Sequence, residues 1–378
     1  MKILKTLFYK TVSWIKRNVP IPALFLYAIA LFSCLIHIIC LFSTSFAEFF
    51  SRYIAGFFRM LLAKLSGIYR YSFAEILVIL IPVIFVGIIA IVVVYCKQNK
   101  EKQLNRFFAG AFAIVSLFYS TFVFTYGMAY RGYTLDQKMD LNKGEISVEE
   151  LEKATLYLIE QVNQCAQEVD FIYGGASVMP YNFDRLNEKL NDAYASFADK
   201  HDVLNNFRSK VKPMLLAKAM SYIHMLGMYT YYTGEANINI DFPDYTIPFT
   251  VAHEMAHQRG IAREDEANFM AFLVGIESDD PYIRYCAYMN MYEYTSNALY
   301  RADANSYYRV YRKLCTEAQY EMQSYNVFFK PYENSGAAKV SDKLNDAFLK
   351  GNGQSAGTAS YGLVVDLAVA YIKKQALI

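Results

Sequence analysis

The chain has 378 residues, with 37 Lys and Arg against 35 Asp and Glu and a formal net charge of +2. That balance excludes nucleic-acid binding through a basic surface. With 55% hydrophobic and 19% charged residues and a mean hydropathy of +0.14, the chain is too apolar for disorder and more apolar than an ordinary soluble domain.

The apolar excess is concentrated near the N-terminus. A basic segment comes first, with Lys2, Lys5, Lys10, Lys16 and Arg17 among Leu4, Leu7, Phe8 and Trp14. Ile21 to Ala47 then contains no Asp, Glu, Lys or Arg, and neither do Ile76 to Cys96 or Phe107 to Tyr130. Each run exceeds the ~20 residues a helix needs to cross a bilayer. A backbone in lipid must satisfy its own hydrogen bonds, so three spanning helices are predicted at about 21–47, 76–96 and 107–130. The first run is too long for a signal peptide and reads as an uncleaved anchor. Pro82 and Gly87 inside the second are tolerated in a span, and Pro82 is expected to kink it.

Between the first two spans, Arg52, Gly56, Arg59, Ala63, Ser66 and Arg70 recur at helical spacing. Ile54, Phe57, Phe58, Leu61, Leu62 and Leu65 fill the other faces. This predicts an amphipathic helix at about 51–70, lying in the membrane interface or packed on the bundle. Basic residues near the spans set orientation. The N-terminal segment and the loop of Lys97, Lys100, Lys102 and Arg106 share one side. Arg131, Lys138 and Lys143 lie on the other with the first loop. The bias of nine to seven favours a cytoplasmic N-terminus and an extracytoplasmic region after Tyr130.

Residues 131–378 read as one mainly helical domain, long enough for its own core. Ser147 and Glu150 form a capping box. Phe183 to Asp199, Pro281 to Leu299 and Ala304 to Phe328 are helical candidates. Residues 227–249, punctuated by Gly and Pro, suggest one or two strands. Residues 333–360, rich in Gly, Ser, Asn and Ala, read as an extended loop. The six cysteines show neither a disulfide framework nor metal-ligand spacing.

One segment carries chemistry: His253-Glu254-Met255-Ala256-His257. Histidines four apart share a helix face and can bind one Zn2+, with Glu254 within reach of the zinc-activated water as general base. A catalytic zinc needs a third protein ligand and one open position. Gly260 is suited to end the motif helix. Glu264 then opens a second helix with acids in its first turn. Asn268, one turn on, is placed to hydrogen-bond a ligand. If Glu264 faces the metal, Glu266 faces elsewhere, so only one of the two can ligate.

Here the chain resembles known peptidases. HExxH followed by E-x-x-A-N/D-x-x-A is the arrangement of gluzincin-like zinc metallopeptidases, including membrane CAAX prenyl proteases. It stands here as His253, Glu254 and His257, then Glu264, Ala267, Asn268 and Ala271. The resemblance implies zinc ligation by His253, His257 and Glu264, with Glu254 as the catalytic base. The longer string Ile247 to Gly260, with Arg263 to Asn268, resembles an uncharacterised bacterial integral-membrane family, along the whole chain. The gap from His257 to Glu264 is shorter than in most gluzincins. Gly260 matches the metzincin glycine, but Arg263 stands where metzincins place a ligand.

The expected fold is a mainly α membrane protein: a three-span anchor over 1–130 and a zincin-like α+β domain with a small sheet over 131–378. The expected function is a membrane-anchored zinc metallopeptidase that hydrolyses peptide bonds. It would sit multi-pass in a bacterial cell membrane and take a peptide or protein substrate. The alternative is a non-hydrolytic zinc-binding sensor or assembly factor. A transporter is disfavoured, because the spans carry no Asp, Glu, Lys or Arg for a pathway. Thr233 to Ile240 is a candidate substrate-binding edge strand. Tyr361, or a tyrosine within 229–232, is a candidate for polarising the scissile carbonyl. His201 and His224 read as structural or surface histidines, and His37 as a neutral histidine within the helix bundle.

Overall fold

The computed structural model describes residues 2–172 and 175–378. Of the five basic residues before the first span, the side chains of Lys2 and Lys5 lie outside the described residues, as do those of Leu4 and Phe8.

Three helices are long and apolar enough to cross a membrane: Ile21–Phe42, Phe73–Lys97 and Glu101–Thr125. Their 22 to 25 residues give lengths of about 33–37 Å at ~1.5 Å per residue, enough for the ~30 Å of hydrocarbon. The first ends earlier than the expected Ala47, because Ser43 breaks the run and caps a new short helix. The third begins at Glu101 and ends at Thr125 rather than Tyr130, giving way to a 3-10 turn at Gly127–Arg131. Tyr27 donates to the Ala109 carbonyl, and Asn105 reaches Asn18. The first and third spans therefore run side by side, with the N-terminal helix and the Lys97–Glu101 turn at the same end.

The amphipathic segment packs on the rest of the protein, one of the two expected placements. Its helix runs Gly56–Gly67, after a π-helical turn at Phe50–Ala55. Gly56, Arg59, Ala63 and Ser66 are buried against the rest of the protein, while Phe57, Leu61 and Leu65 are exposed. The polar stripe thus serves as a docking face, and the apolar face is exposed. Arg59 donates to the carbonyls of Ser51 and Thr125 and to Asn205 Oδ1. A Cβ on Gly56 would come within 2.6 Å of Asn205 Oδ1, so only glycine lets this helix approach so closely.

Further ties join the membrane helices to the sheet. The Glu235 carboxylate accepts from the backbone N–H groups of Phe73 and Ala74, the first residues of the second span. Lys212 Nζ lies 2.5 Å from Glu235 and also donates to the carbonyls of Ser66 and Tyr71. Glu75, inside that span's first turn, accepts from Leu215 and Leu216 N–H. A buried ion pair persists when its remaining polar atoms are satisfied, and these bonds satisfy them.

The sheet has three strands, β1 (Val211–Pro213), β2 (Gly227–Thr230) and β3 (Glu235–Ile238), in the order β1-β3-β2. β3 pairs parallel with β1 and antiparallel with β2. The expected edge strand is therefore the central one, and β2 is the edge. β1 carried no clear pattern, being only three residues long.

The largest core is helical. The motif helix (Thr246–Gln258) is buried along its whole length. It shares one core with helices Glu264–Ile276, Pro281–Ala302, Val148–Ala166, Phe183–Lys200 and Val364–Lys374. Val251, Met255, Phe269, Phe272, Tyr285 and Met289 meet there. The capping box at Ser147 and Glu150 is present. The expected helix over Ala304–Phe328 is broken into Ala304–Tyr311 and Thr316–Phe329. Residues 333–360 are a correction of another kind. They form a helix at Gly336–Gly351 and a 3-10 turn at Gly357–Leu363, not an extended loop. Their small residues misled. Val340, Leu344 and Phe348, spaced by four, mark one helical face.

Candidate metal centre

His253 and His257 project from one face of the motif helix. Their Nε2 atoms lie 3.1 Å apart. Glu264 Oε2 lies 3.2 Å from the first and 3.4 Å from the second. Two local features bring Glu264 there. Gly260, at φ +97°, takes the left-handed turn after the motif helix. Glu264 then starts the next helix, where an acid is favoured by the exposed N–H groups. Glu266 points away, accepting from Leu135 N–H and Arg263. Arg263 also bonds the carbonyl of Tyr130, clamping the turn that follows the third span.

The donor set suits a zinc ion. A tetrahedral site with bonds of about 2.0–2.1 Å places its ligand atoms about 3.3–3.4 Å apart, close to the three distances here. Both imidazoles are already oriented through Nδ1. That of His253 faces Asn268 Oδ1 at 2.8 Å, and that of His257 faces the Ile261 carbonyl at 2.7 Å. With each Nδ1 engaged in this way, each Nε2 faces Glu264 as the atom that would bind a metal. Asn268 is held in turn, its Nδ2 donating to Tyr294 Oη.

The electrostatics agree. Burial works to raise Glu264, but the His257 charge and hydrogen bonds from both histidines outweigh it and hold the carboxyl well below its usual range. Burial works to lower His257, yet the Glu264 carboxylate raises it to about 9. The cluster is built to hold positive charge. Glu254 differs. Burial pushes its carboxyl up to about 7, against the pull of both histidines. Its Oε2 is buried without a protein partner. A carboxylate so placed can take up and release a proton near neutral pH.

The cluster opens into a cavity of about 740 Å3. Met225 to Tyr229 form one wall, so the β2 edge faces the reacting groups. Gly227 is required there, since a Cβ would come 2.5 Å from Glu254 Oε1. Tyr361 also lines the cavity, its hydroxyl accepting from Asn345 Nδ2. Burial and the Glu264 charge keep its hydroxyl protonated. Tyr229 packs its ring against His257 and Tyr126. His224 lines the cavity but bonds the Tyr332 carbonyl, and His201 packs on Phe197. His37 pairs with Tyr119 between spans. All three stand apart from the cluster, as expected.

Two residues were not foreseen. Tyr126 bonds His257, and Gly227 makes room for Glu254. Neither carries a local signal, because both act on the motif from distant stretches of chain.

A family model described as "Protein of unknown function (DUF3810)" matches residues 50–369. The chain belongs to that family. No curated protein and no solved structure matches it. The DUF3810 match begins after the first span, so the family covers less than the whole chain that the resemblance implied. It includes the Gly56–Gly67 helix, the second and third spans, the sheet and every residue of the candidate metal centre.

Proposed function

We propose that this DUF3810 protein is a membrane-anchored zinc metallopeptidase. One observation carries the reading. A buried carboxylate with an unpartnered oxygen, Glu254, stands beside three convergent ligand atoms at the end of a cavity. A closed structural site needs no such neighbour.

His253, His257 and Glu264 would hold the ion, which supplies Lewis acidity. Glu254 Oε2 takes a proton from the attacking water, whose oxygen adds to the scissile carbonyl carbon. It later delivers that proton to the leaving amine as the C–N bond breaks. The Tyr361 hydroxyl donates to the carbonyl oxygen as charge develops there. The β2 edge takes the substrate backbone as an added strand. The basic residues around the spans favour a site on the extracytoplasmic side.

The test uses purified full-length protein and a mixed-sequence peptide library, with new N-termini read by mass spectrometry. Glu254→Gln keeps its zinc and loses hydrolysis by at least about 100-fold. Unchanged hydrolysis in that variant contradicts the reading. Zinc bound by a wild-type protein that cleaves nothing moves it to a non-hydrolytic zinc protein.

A further inference from the structure

The candidate centre lies where the third span leaves the bilayer. Thr125 is the last residue of that span, and the next residue, Tyr126, touches His257. One tyrosine side chain separates the membrane helix from a metal ligand. The turn after β2 leans on the same span, with Tyr231 against Phe122 at 5.2 Å and Tyr232 against Phe118 at 5.3 Å. On the other flank, Phe348 of the Gly336–Gly351 helix meets Phe122 and Tyr130.

The Gly336–Gly351 helix lines the cavity on this side with Leu344 and Phe348 beside Ser341, Asp342 and Asn345. Leu344 and Phe348 line the cavity and are 68% and 42% exposed, and Val340 extends their stripe at 59%. In water such a stripe is unfavourable. It is continuous, through Phe348 and Phe122, with the lipid-facing surface of the spans. The exposed Phe57, Leu61 and Leu65 of the Gly56–Gly67 helix mark the same level, since Arg59 of that helix bonds Thr125.

We propose that the substrates are polypeptides attached to the same bilayer, cut within a few residues of the membrane surface. This rests on the peptidase reading. A segment leaving the bilayer passes the Leu344–Phe348 wall before it reaches Glu254. The unpaired edge of β2 then takes it as an extended strand, which favours a polypeptide over a lipid headgroup. Attachment to the bilayer raises the local concentration of such a segment at the mouth.

Two measurements on the full chain in vesicles test this. The first needs no activity. In a Trp14→Phe background, Leu344→Trp is compared with Tyr308→Trp, using lipids brominated near the headgroup end of the chain. Emission from position 344 is quenched at least about twofold more. Equal quenching at the two positions overturns the placement. The second uses a randomised peptide segment fused to an apolar helix of about 20 residues. The segment is joined directly, raised about 37 Å on a rigid helical spacer of about 25 residues, or left free in solution. The directly joined form is cleaved at least about tenfold faster than the other two. Equal cleavage of the raised or free form overturns the inference while leaving the peptidase reading intact. Cleavage of none of the three overturns both.

Discussion

The hydroxyl of Tyr126 lies 3.0 Å from Nδ1 of His257, so the residue that follows the third span orients a candidate metal ligand. The same Nδ1 donates to the Ile261 carbonyl, while the tyrosine hydroxyl faces the Ala262 carbonyl. His257 is thus held from its own chain turn and from the membrane anchor together. Asn268 does the same for His253. Removing such a partner typically weakens metal binding about 10- to 100-fold. Asn268→Leu should fall in that range, and Asn268→Asp, which keeps the acceptor, should recover most of the loss. Tyr126→Phe should weaken zinc by about tenfold, since Ile261 remains. Competition against a chelating dye measures all three.

A substitution outside the motif should disable it. In Gly227→Ala the new methyl group would overlap Glu254 Oε1 and Cγ, at 2.5 and 2.7 Å. The Glu254 side chain must then move. Hydrolysis should fall at least about tenfold while zinc affinity stays within about twofold, because neither histidine nor Glu264 is touched. Peptide turnover set beside zinc titration separates the two effects. Zinc loss equal to the activity loss would refute this placement.

The seam between the Gly56–Gly67 helix and the candidate metal centre should be strongly coupled. Gly260 packs against the Arg59 guanidinium, and a Cβ there would come 2.4 Å from Nη2. Gly260→Ala combines that overlap with a left-handed backbone and should cost about 2 kcal/mol or more. Arg59→Leu leaves the buried Thr125 carbonyl and Asn205 Oδ1 without this donor and removes one of two donors from the Ser51 carbonyl, and should cost at least about 3 kcal/mol. The double variant should cost less than the two together, since leucine at 59 removes what the new methyl group strikes. Thermal unfolding in detergent gives each value.

Much of this was legible in the sequence, for physical reasons. The spans are dictated by uncharged length, and the motif by histidines four apart beside a glutamate. Helix phase allowed only one of Glu264 and Glu266 to ligate, the resemblance to gluzincin-like peptidases implied Glu264, and Glu264 Oε2 lies beside both imidazoles. What stayed hidden depends on contacts across the chain. Tyr126 and His257 are 131 residues apart, and no local pattern pairs them. β2 and β3 look alike as sequence, so which is the edge is decided by β1, a strand too short to show. The Gly336–Gly351 helix hid behind a composition typical of loops. Its stripe of Val340, Leu344 and Phe348 was the available sign.

Stability should depend on pH through Glu293. Burial pushes its carboxyl up to about 7, Tyr245 donates a hydrogen bond that works against this, and the Glu321 charge adds to it. Tyr294 and Tyr325 also face it. The folded state therefore holds this proton more tightly than the unfolded chain, whose glutamates titrate near 4.3. The contribution to stability is complete below that value and is lost as pH rises to about 7. Glu293→Gln should unfold at nearly the same temperature as wild type at pH 4. At pH 8 it should be more stable, by at most about 4 kcal/mol. An unchanged difference between the two pH values would contradict this.

The most direct measurement is metal content of the purified full-length protein beside its His253→Ala and Glu264→Ala variants. The account predicts one zinc per chain in the wild type and none in either variant. A wild type that binds no zinc under saturating conditions, or a Glu264→Ala variant that keeps it, would contradict the account.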